Sequence, residues 1–224
     1  MNAIFLSLAM IVLLVACDKN SDVHPKLPVT DIDGNGYDTV KIGISFFTKQ
    51  NLKTSHYRNG DPIPEITSIS VWSSLTSGGW CWYNNDSVKY AATYGKLYNW
   101  YAVNDPRGLA PAGWHVPGNE EWIALSASLG GEAVAGSELK ESGTTHWSPP
   151  NADANNNSGF TGLPGGFRDS GGSFINIGNS GVWWSSTAFD ATIAWYLYLS
   201  YSDGTFPVTN IYNQFGFSVR CIKD

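Results

Sequence analysis

Pro117-Gly118-Asn119-Glu120-Glu121-Trp122-Ile123-Ala124-Leu125-Ser126-Ala127-Ser128-Leu129-Gly130-Gly131 is the stretch on which the fold turns. Trp122, Leu125 and Leu129 fall on one helical face, Glu121 stands where an acid caps a helix start, and the glycine pair is a stop. Upstream, Tyr90, Tyr94, Leu97 and Tyr101 recur at i, i+4, i+7 and i+11, which predicts a helix from Ser87 to Tyr101. Downstream the period changes to two. Leu197 and Leu199 alternate with Tyr196 and Tyr198, while Phe215, Phe217, Val219 and Cys221 share one face of a final strand. Two helices followed by strands make an α+β domain.

Before the helices, residues 30–43 read as a hairpin. Asp33-Gly34 and Asn35-Gly36 are turn signals, and Val40 alternates with Ile42. Asp31, Asp33 and Asn35 mimic the start of an EF-hand loop, but the twelfth position is Ile42 rather than a bidentate Glu, so the segment reads as a turn. Residues 54–79, rich in Ser, Thr and Pro, read as a surface loop.

At the start of the chain, an apolar run from Ile4 to Ala16 ends in Leu14-Val15-Ala16-Cys17. It is shorter than the ~20 residues of a membrane span and suits a secretory h-region. No Lys or Arg precedes it. The polar stretch Asp18 to Asp22 that follows supports a lipobox: residues 1–16 as signal peptide, Cys17 as the acylated N-terminus, 17–29 as a tether with Pro25 and Pro28, and 30–224 as the domain. The expected partner at this end is therefore a membrane, through a lipid anchor, and the expected location is the cell envelope as an outer-membrane lipoprotein. A formal charge of −6, with only 13 Lys and Arg, argues against nucleic acid. Aromatics reach 14%, with 10 Trp, so the chain has the large side chains of a packed, loop-rich domain rather than of a disordered one. With Cys17 acylated, Cys81 and Cys221 remain as candidates for one disulfide in an oxidising compartment; their spacing rules out zinc held by Cys pairs.

Several segments together resemble one family: Asp33-Gly34-Asn35, Thr39-Val40-Lys41-Ile42-Gly43, Tyr94-Gly95-Lys96-Leu97-Tyr98-Asn99-Trp100 and Gly113-Trp114-His115-Val116-Pro117 with Glu121-Trp122. Later come Val134-Ala135-Gly136 with Leu139-Lys140, Leu163-Pro164-Gly165-Gly166-Phe167-Arg168, Trp183-Trp184-Ser185-Ser186-Thr187 and Gly216-Phe217-Ser218-Val219-Arg220-Cys221. In this order they are similar to the Fibrobacter succinogenes major paralogous domain, common in lipoproteins of Bacteroidetes and Fibrobacter. The resemblance covers nearly all of residues 30–224. It implies a C-type-lectin-like fold akin to formylglycine-generating enzymes, with two helices packed on a twisted, mainly antiparallel sheet and a long loop region. Two departures stand out: Gly118 replaces the family's usual Ser or Thr before the helix, and the 54–79 segment is long. The resemblance implies no established activity.

Catalytic patterns are poor. Glu120 and Glu121 are consecutive at a helix start and diverge; His24, His56, His115 and His146 are scattered without metal-ligand spacing; Gly165-Gly166 and Gly171-Gly172 lack a phosphate-loop Lys. Trp183-Trp184 reads as core, and Arg168 and Arg220 read as buried network residues needing carboxylate or carbonyl partners. Glycan recognition uses aromatic faces and planar amides. Candidates gather in the long-loop region, at Trp147, Asp153, Asn155, Asn156, Asn157, Arg168, Asp169, Asn176 and Asn179, with outward Tyr196 and Tyr198 as a platform. The Glu-Pro-Asn and Trp-Asn-Asp signatures of calcium-dependent lectins are absent, so no cofactor is expected beyond a structural calcium ion in the Asp/Asn-rich loop. The expectation is a non-catalytic, lipid-anchored module recognising glycan or an envelope protein. The alternatives are a structural envelope component without a small ligand and, behind it, an oxidase of the formylglycine-generating type.

Overall fold

A computed structural model describes residues 29–224. The lipobox, Cys17 and the tether up to residue 28 lie outside the described residues, and Val29 already pairs in a strand. Strands β1 (Val29–Thr30) and β2 (Gly36–Tyr37) form the first antiparallel hairpin. Asp31 ties its turn: Oδ1 accepts the Asp33 and Asn35 amides at 3.0 and 2.9 Å, and Oδ2 accepts the Tyr37 hydroxyl. It is a self-satisfied Asx turn, as the glycines and acids foretold. β3 (Thr39–Ile42) and β4 (Ser45–Thr48) make the second hairpin.

The 54–79 segment is more than a surface loop. Tyr57 and Ile63 are buried in it, and the six-residue α1 (Ile69–Ser74), capped by the Ser68 hydroxyl, drives Trp72 into the core. β5 (Trp80–Cys81) follows, then α2 (Ser87–Tyr94), β6 (Leu97–Tyr98) and α3 (Trp100–Val103). The helix expected over Ser87–Tyr101 is thus broken. Gly95 at φ +70 ends α2, and a Cβ there would meet the Leu52 carbonyl at 2.9 Å. Leu97 and Tyr98 instead pair with Cys81 and Trp80. Helical spacing continued across a residue whose backbone only glycine tolerates.

β7 (Trp114–His115) leads to α4 (Asn119–Ser128), whose Trp122 and Leu125 are buried and whose neighbour Leu129 is half-buried. Gly130 and Gly131, at φ +98 and +94, end α4 as expected, but they also open an unforeseen helix, α5 (Glu132–Leu139). The remainder is β8 (Phe167–Arg168), β9 (Phe174–Ile175), β10 (Ser180–Ala188), β11 (Ile193–Ser200), β12 (Val208–Tyr212) and β13 (Ile222–Lys223). The domain is therefore mixed α and β, with five short α-helices among the described residues in place of the two expected.

The strands form a four-stranded sheet in the order β3-β4-β13-β7, a three-stranded sheet β10-β11-β12 and three two-stranded ribbons, with antiparallel pairing throughout. The expected final strand over Phe215–Cys221 is not regular, and the sheet resumes only beyond it, at β13. Residues 216–221 instead thread the centre, and three successive residues bridge three different elements: Gly216 to Arg168, Phe217 to Tyr98, Ser218 to Trp183. All of them are buried, so neither face of this segment meets water. The β11 alternation holds, yet both sides are covered. Leu197 and Leu199 pack with Trp122, Phe160 and Trp183, while Tyr196 and Tyr198 lean on the cluster of Trp184, Phe217 and Val219. At roughly 150–250 Å² per ring, such aromatics supply much of the apolar burial.

Cys81 and Cys221 are both free thiols, fully buried in separate clusters. Cys81 belongs with Trp72, Tyr83 and Tyr90, Cys221 with Tyr37 and Val219, so the expected disulfide is not formed. No helix among the described residues is long and apolar enough to cross a membrane.

Candidate functional site

Residues expected to form one binding face are dispersed. Trp147 is 1% exposed, its indole N–H donating to the Gly162 carbonyl at 3.0 Å, so it has no face to offer a sugar. Asp153, Asn155, Asn156 and Asn157 do share one loop, but the three asparagine amides bond within it or to α5. Asn155 Nδ2 donates to Glu138 Oε1 at 2.9 Å, Asn156 Nδ2 to Thr161 Oγ1 at 3.1 Å, and Asn157 Nδ2 to Glu138 Oε1 at 3.4 Å. Asp169 Oδ1 accepts the Ser173 amide and closes the β8–β9 turn, and Asn176, at φ +63, is the turn residue after β9. The backbone of Asn179 likewise donates to the Asn176 carbonyl at 3.0 Å.

Tyr196 and Tyr198 pack on one side against the core cluster, and both are half-buried, so part of each side chain stays accessible. Around them the tertiary structure gathers rings that the sequence reading passed over. Tyr196 stacks at a tilt on Phe217 at 4.9 Å; Phe215 and Phe167 lie 5.7 Å from the same ring and 6.1 Å from each other. Phe167, Phe215, Tyr196 and Tyr198 are each half-exposed, with Phe217 and Trp184 beneath them. Three segments meet here: β8, the central crossing and β11. The rim is apolar, aromatic and anchored on a buried ring stack, which holds its side chains in place at little entropic cost.

A second cluster combines charge with aromatics. Lys96, on the turn between α2 and β6, is buried at 2% exposure, and its ammonium lies 3.4 Å from the Trp80 ring centroid and 5.1 Å from that of Trp82. The ammonium also donates to Ser55 Oγ. Burial pulls Lys96 down to about 8, against the opposing pull of Asp33, Glu65 and Asp31. Asp33 accepts the Ser55 amide and pairs with His56 Nδ1; burial opposes its charge, but these hydrogen bonds outweigh it and hold the carboxyl below its ordinary value. Lys96 sits within the Tyr94–Trp100 motif and Asp33 within the first turn, so the visible signal was a lone cation in an aromatic run.

His115 bridges three elements. Its Nε2 meets Glu121 Oε1 at 2.9 Å and its Nδ1 meets Asp224 Oδ1 at 2.7 Å. Burial disfavours its charge, yet the bonds to Asp224 and Glu121 together raise its pKa. The same Glu121 accepts the Gly118 amide at 2.7 Å, and Thr187 Oγ1 accepts the Asn119 amide at 3.0 Å. Gly118 has no cap to give, and a strand hydroxyl from the β10 bulge supplies one instead.

Arg168 and Arg220 are buried network residues, as the sequence suggested. Arg168 donates to the carbonyls of Gly172, Ile66 and Thr67 and stacks on Trp72 at 4.4 Å. Lys140 is also fully buried, its three donors going to the Ala152, Ser200 and Asp203 carbonyls at 2.7, 2.9 and 2.6 Å. Among the described residues no group of three or more His, Cys, Asp or Glu could hold a metal ion, so a calcium ion in the Asp/Asn-rich loop would find no carboxylate cluster.

The model of the Fibrobacter succinogenes major domain family matches residues 40–223. No curated protein and no solved structure matches the chain.

Proposed function

The chain belongs to the Fibrobacter succinogenes major domain family, and from that premise we propose that it is a lipid-anchored module of the cell envelope that binds a glycan without chemistry of its own. The binding face is the half-exposed rim of Phe167, Tyr196, Tyr198 and Phe215, and this rim is the observation that carries the reading. Sugar rings present C–H faces that stack on aromatic planes, and tyrosine adds a hydroxyl for their polar edges. A C-type-lectin-like arrangement of the short helices and antiparallel sheets belongs to the same proposal, as does the anchor through Cys17. The half-buried aromatics of this rim, in a chain with 14% charged residues, also lack the charge density of a nucleic-acid surface.

One observation favours a second reading, a structural envelope component without a small ligand. The loop amides of Asn155, Asn156 and Asn157 each spend one donor on Glu138 or Thr161, which leaves fewer of them for a sugar. A glycan array run on residues 22–224, with Tyr196→Ala and Phe215→Ala as controls, separates the two. Selective binding lost in both variants, each still folded by circular dichroism, is the expected result. A blank array, or binding indifferent to both substitutions, would move the assignment to the structural component or to a protein partner.

A further inference from the structure

Beside the end of β4 lies a pocket of about 250 Å³ that the aromatic rim does not use, walled by Lys49, Gln50, Asn51, Thr93, Thr161 and Arg220. Arg220 is 1% exposed, yet its partners are neutral oxygens and the Phe160 ring, 4.4 Å from the guanidinium. Nε donates to Asn51 Oδ1 at 2.7 Å, Nη1 to the Thr48 and Phe160 carbonyls at 2.8 and 3.0 Å, and Nη2 to the Thr161 carbonyl at 3.2 Å. A buried charge is ordinarily matched by an opposite one. Here the four hydrogen bonds leave one of the five guanidinium N–H groups, on Nη2, beside Thr161 at the pocket wall. Burial pulls the guanidinium below its ordinary value, as expected for a cation without an acid partner. Lys140, by contrast, spends all three of its donors on carbonyls.

Two further observations point to the same place. Thr161 is at φ +55, a conformation in which a β-branched residue is a true outlier, and such outliers gather at functional sites. Asn156 holds it there, accepting the Thr161 amide at 2.9 Å and donating to its hydroxyl at 3.1 Å, which aims the Thr161 carbonyl at Arg220. Lys49, half-buried, adds a second cation to the wall. We propose that this pocket binds an oxyanion, the carboxylate, sulfate or phosphate of a small ligand, between the Arg220 guanidinium and the Lys49 ammonium. Its volume is below the ~300–1,000 Å³ of drug-sized ligand sites, so it takes one anionic group or a single acidic sugar. On a chain of net charge −6 an anion is repelled by most of the surface, and residence depends on this cation pair.

The test titrates the full chain with glucuronate, sulfate and inorganic phosphate, with glucose as the uncharged control, by calorimetry and tryptophan fluorescence. The Trp183 indole N–H donates at 2.9 Å to Asn51 Oδ1, the same pocket-wall oxygen that Arg220 Nε holds, so filling the pocket alters the hydrogen bonding of a fluorophore one residue behind its wall. Anions bind and glucose does not; Lys49→Gln weakens them about tenfold, the loss of one charge-assisted hydrogen bond, while Lys41→Gln, an exposed lysine of β3 away from the pocket lining, leaves them unchanged. Glucuronate alone binding assigns a carboxylated sugar; all three anions binding alike assigns recognition of the oxyanion itself. Anions binding no better than glucose, or Lys49→Gln binding as tightly as the parent, overturns the proposal. The Lys49 variant changes a half-buried side chain, so the outcome does not depend on whether an Arg220 variant folds.

Discussion

Lys96 shows how much of this protein depends on single buried cations. Its ammonium lies against Trp80 with Ser55 as hydrogen-bond acceptor, and burial lowers its pKa to about 8 from an ordinary value near 10.5. Between those two values the unfolded chain binds more protons than the folded one, so raising pH through this window stabilises the fold. Below pH 8 both states are protonated, and the full cost of burying the charge is present. We expect the stability difference between the parent and Lys96→Met to climb in the parent's favour from pH 8 toward 10, by at most ~1.4 kcal/mol per pH unit. Urea unfolding of both proteins across that range checks it. A flat difference would mean that the ammonium stays charged in the fold. Lys96 was visible in the sequence as a cation among aromatics, but its depth was not, because depth comes from Trp80 and Ser55, distant along the chain.

At the scale of elements, α4 illustrates a division of labour. Its apolar face of Trp122 and Leu125 and its glycine stop were legible, since both are local periodicity and local backbone freedom. Its cap was not. Gly118 offers no side chain, and the Asn119 amide is met by Thr187 from β10, 68 residues away. The bulge between Trp184 and Ala188 lifts Ser185, Ser186 and Thr187 out of the ladder, and Ser186 donates its amide to Pro117 in the same region. Thr187→Val, which keeps shape and removes the acceptor, is expected to cost about 1 kcal/mol in urea unfolding. No loss would mean that water caps α4 equally well. The broken Ser87–Tyr101 helix carries the opposite lesson: its spacing was helical throughout, and Gly95 against the Leu52 carbonyl overruled it.

For the whole molecule, three aromatic clusters and a buried central crossing stand where a disulfide was expected. Burial pushes both Cys81 and Cys221 up to about 12, so neither is a thiolate at neutral pH. A thiol reagent should therefore leave both untouched in the folded protein and react with both in denaturant, and reducing agent should not move Tm. A fall in Tm under reductant would reveal a bond that joins them. Gly136 shows how closely the layers approach: a Cβ there would meet the Thr205 carbonyl at 2.1 Å. Here α5 lies directly on the loop between β11 and β12.

The sequence by itself determined the mixed α and β content, the turn at Asp31–Gly36, α4, the β11 alternation, and the burial of the Trp183-Trp184 pair and of the two arginines. Each is written in local periodicity, in turn chemistry, or in the cost of burying a charge without partners. Motif order carried the family. Only the tertiary structure decided that Trp147 is core, that Tyr196 leans on Phe217 while Tyr198 packs against the same cluster, that Phe167 and Phe215 complete their rim, and that Arg220 faces a pocket without an acid. Exposure is a property of what covers a residue, and the covering segments here come from far along the chain: Phe217 beside Tyr98, Thr161 beside Arg220. Spacing along a chain does not encode such pairings, because they are settled by which surfaces exclude water together when the whole domain closes.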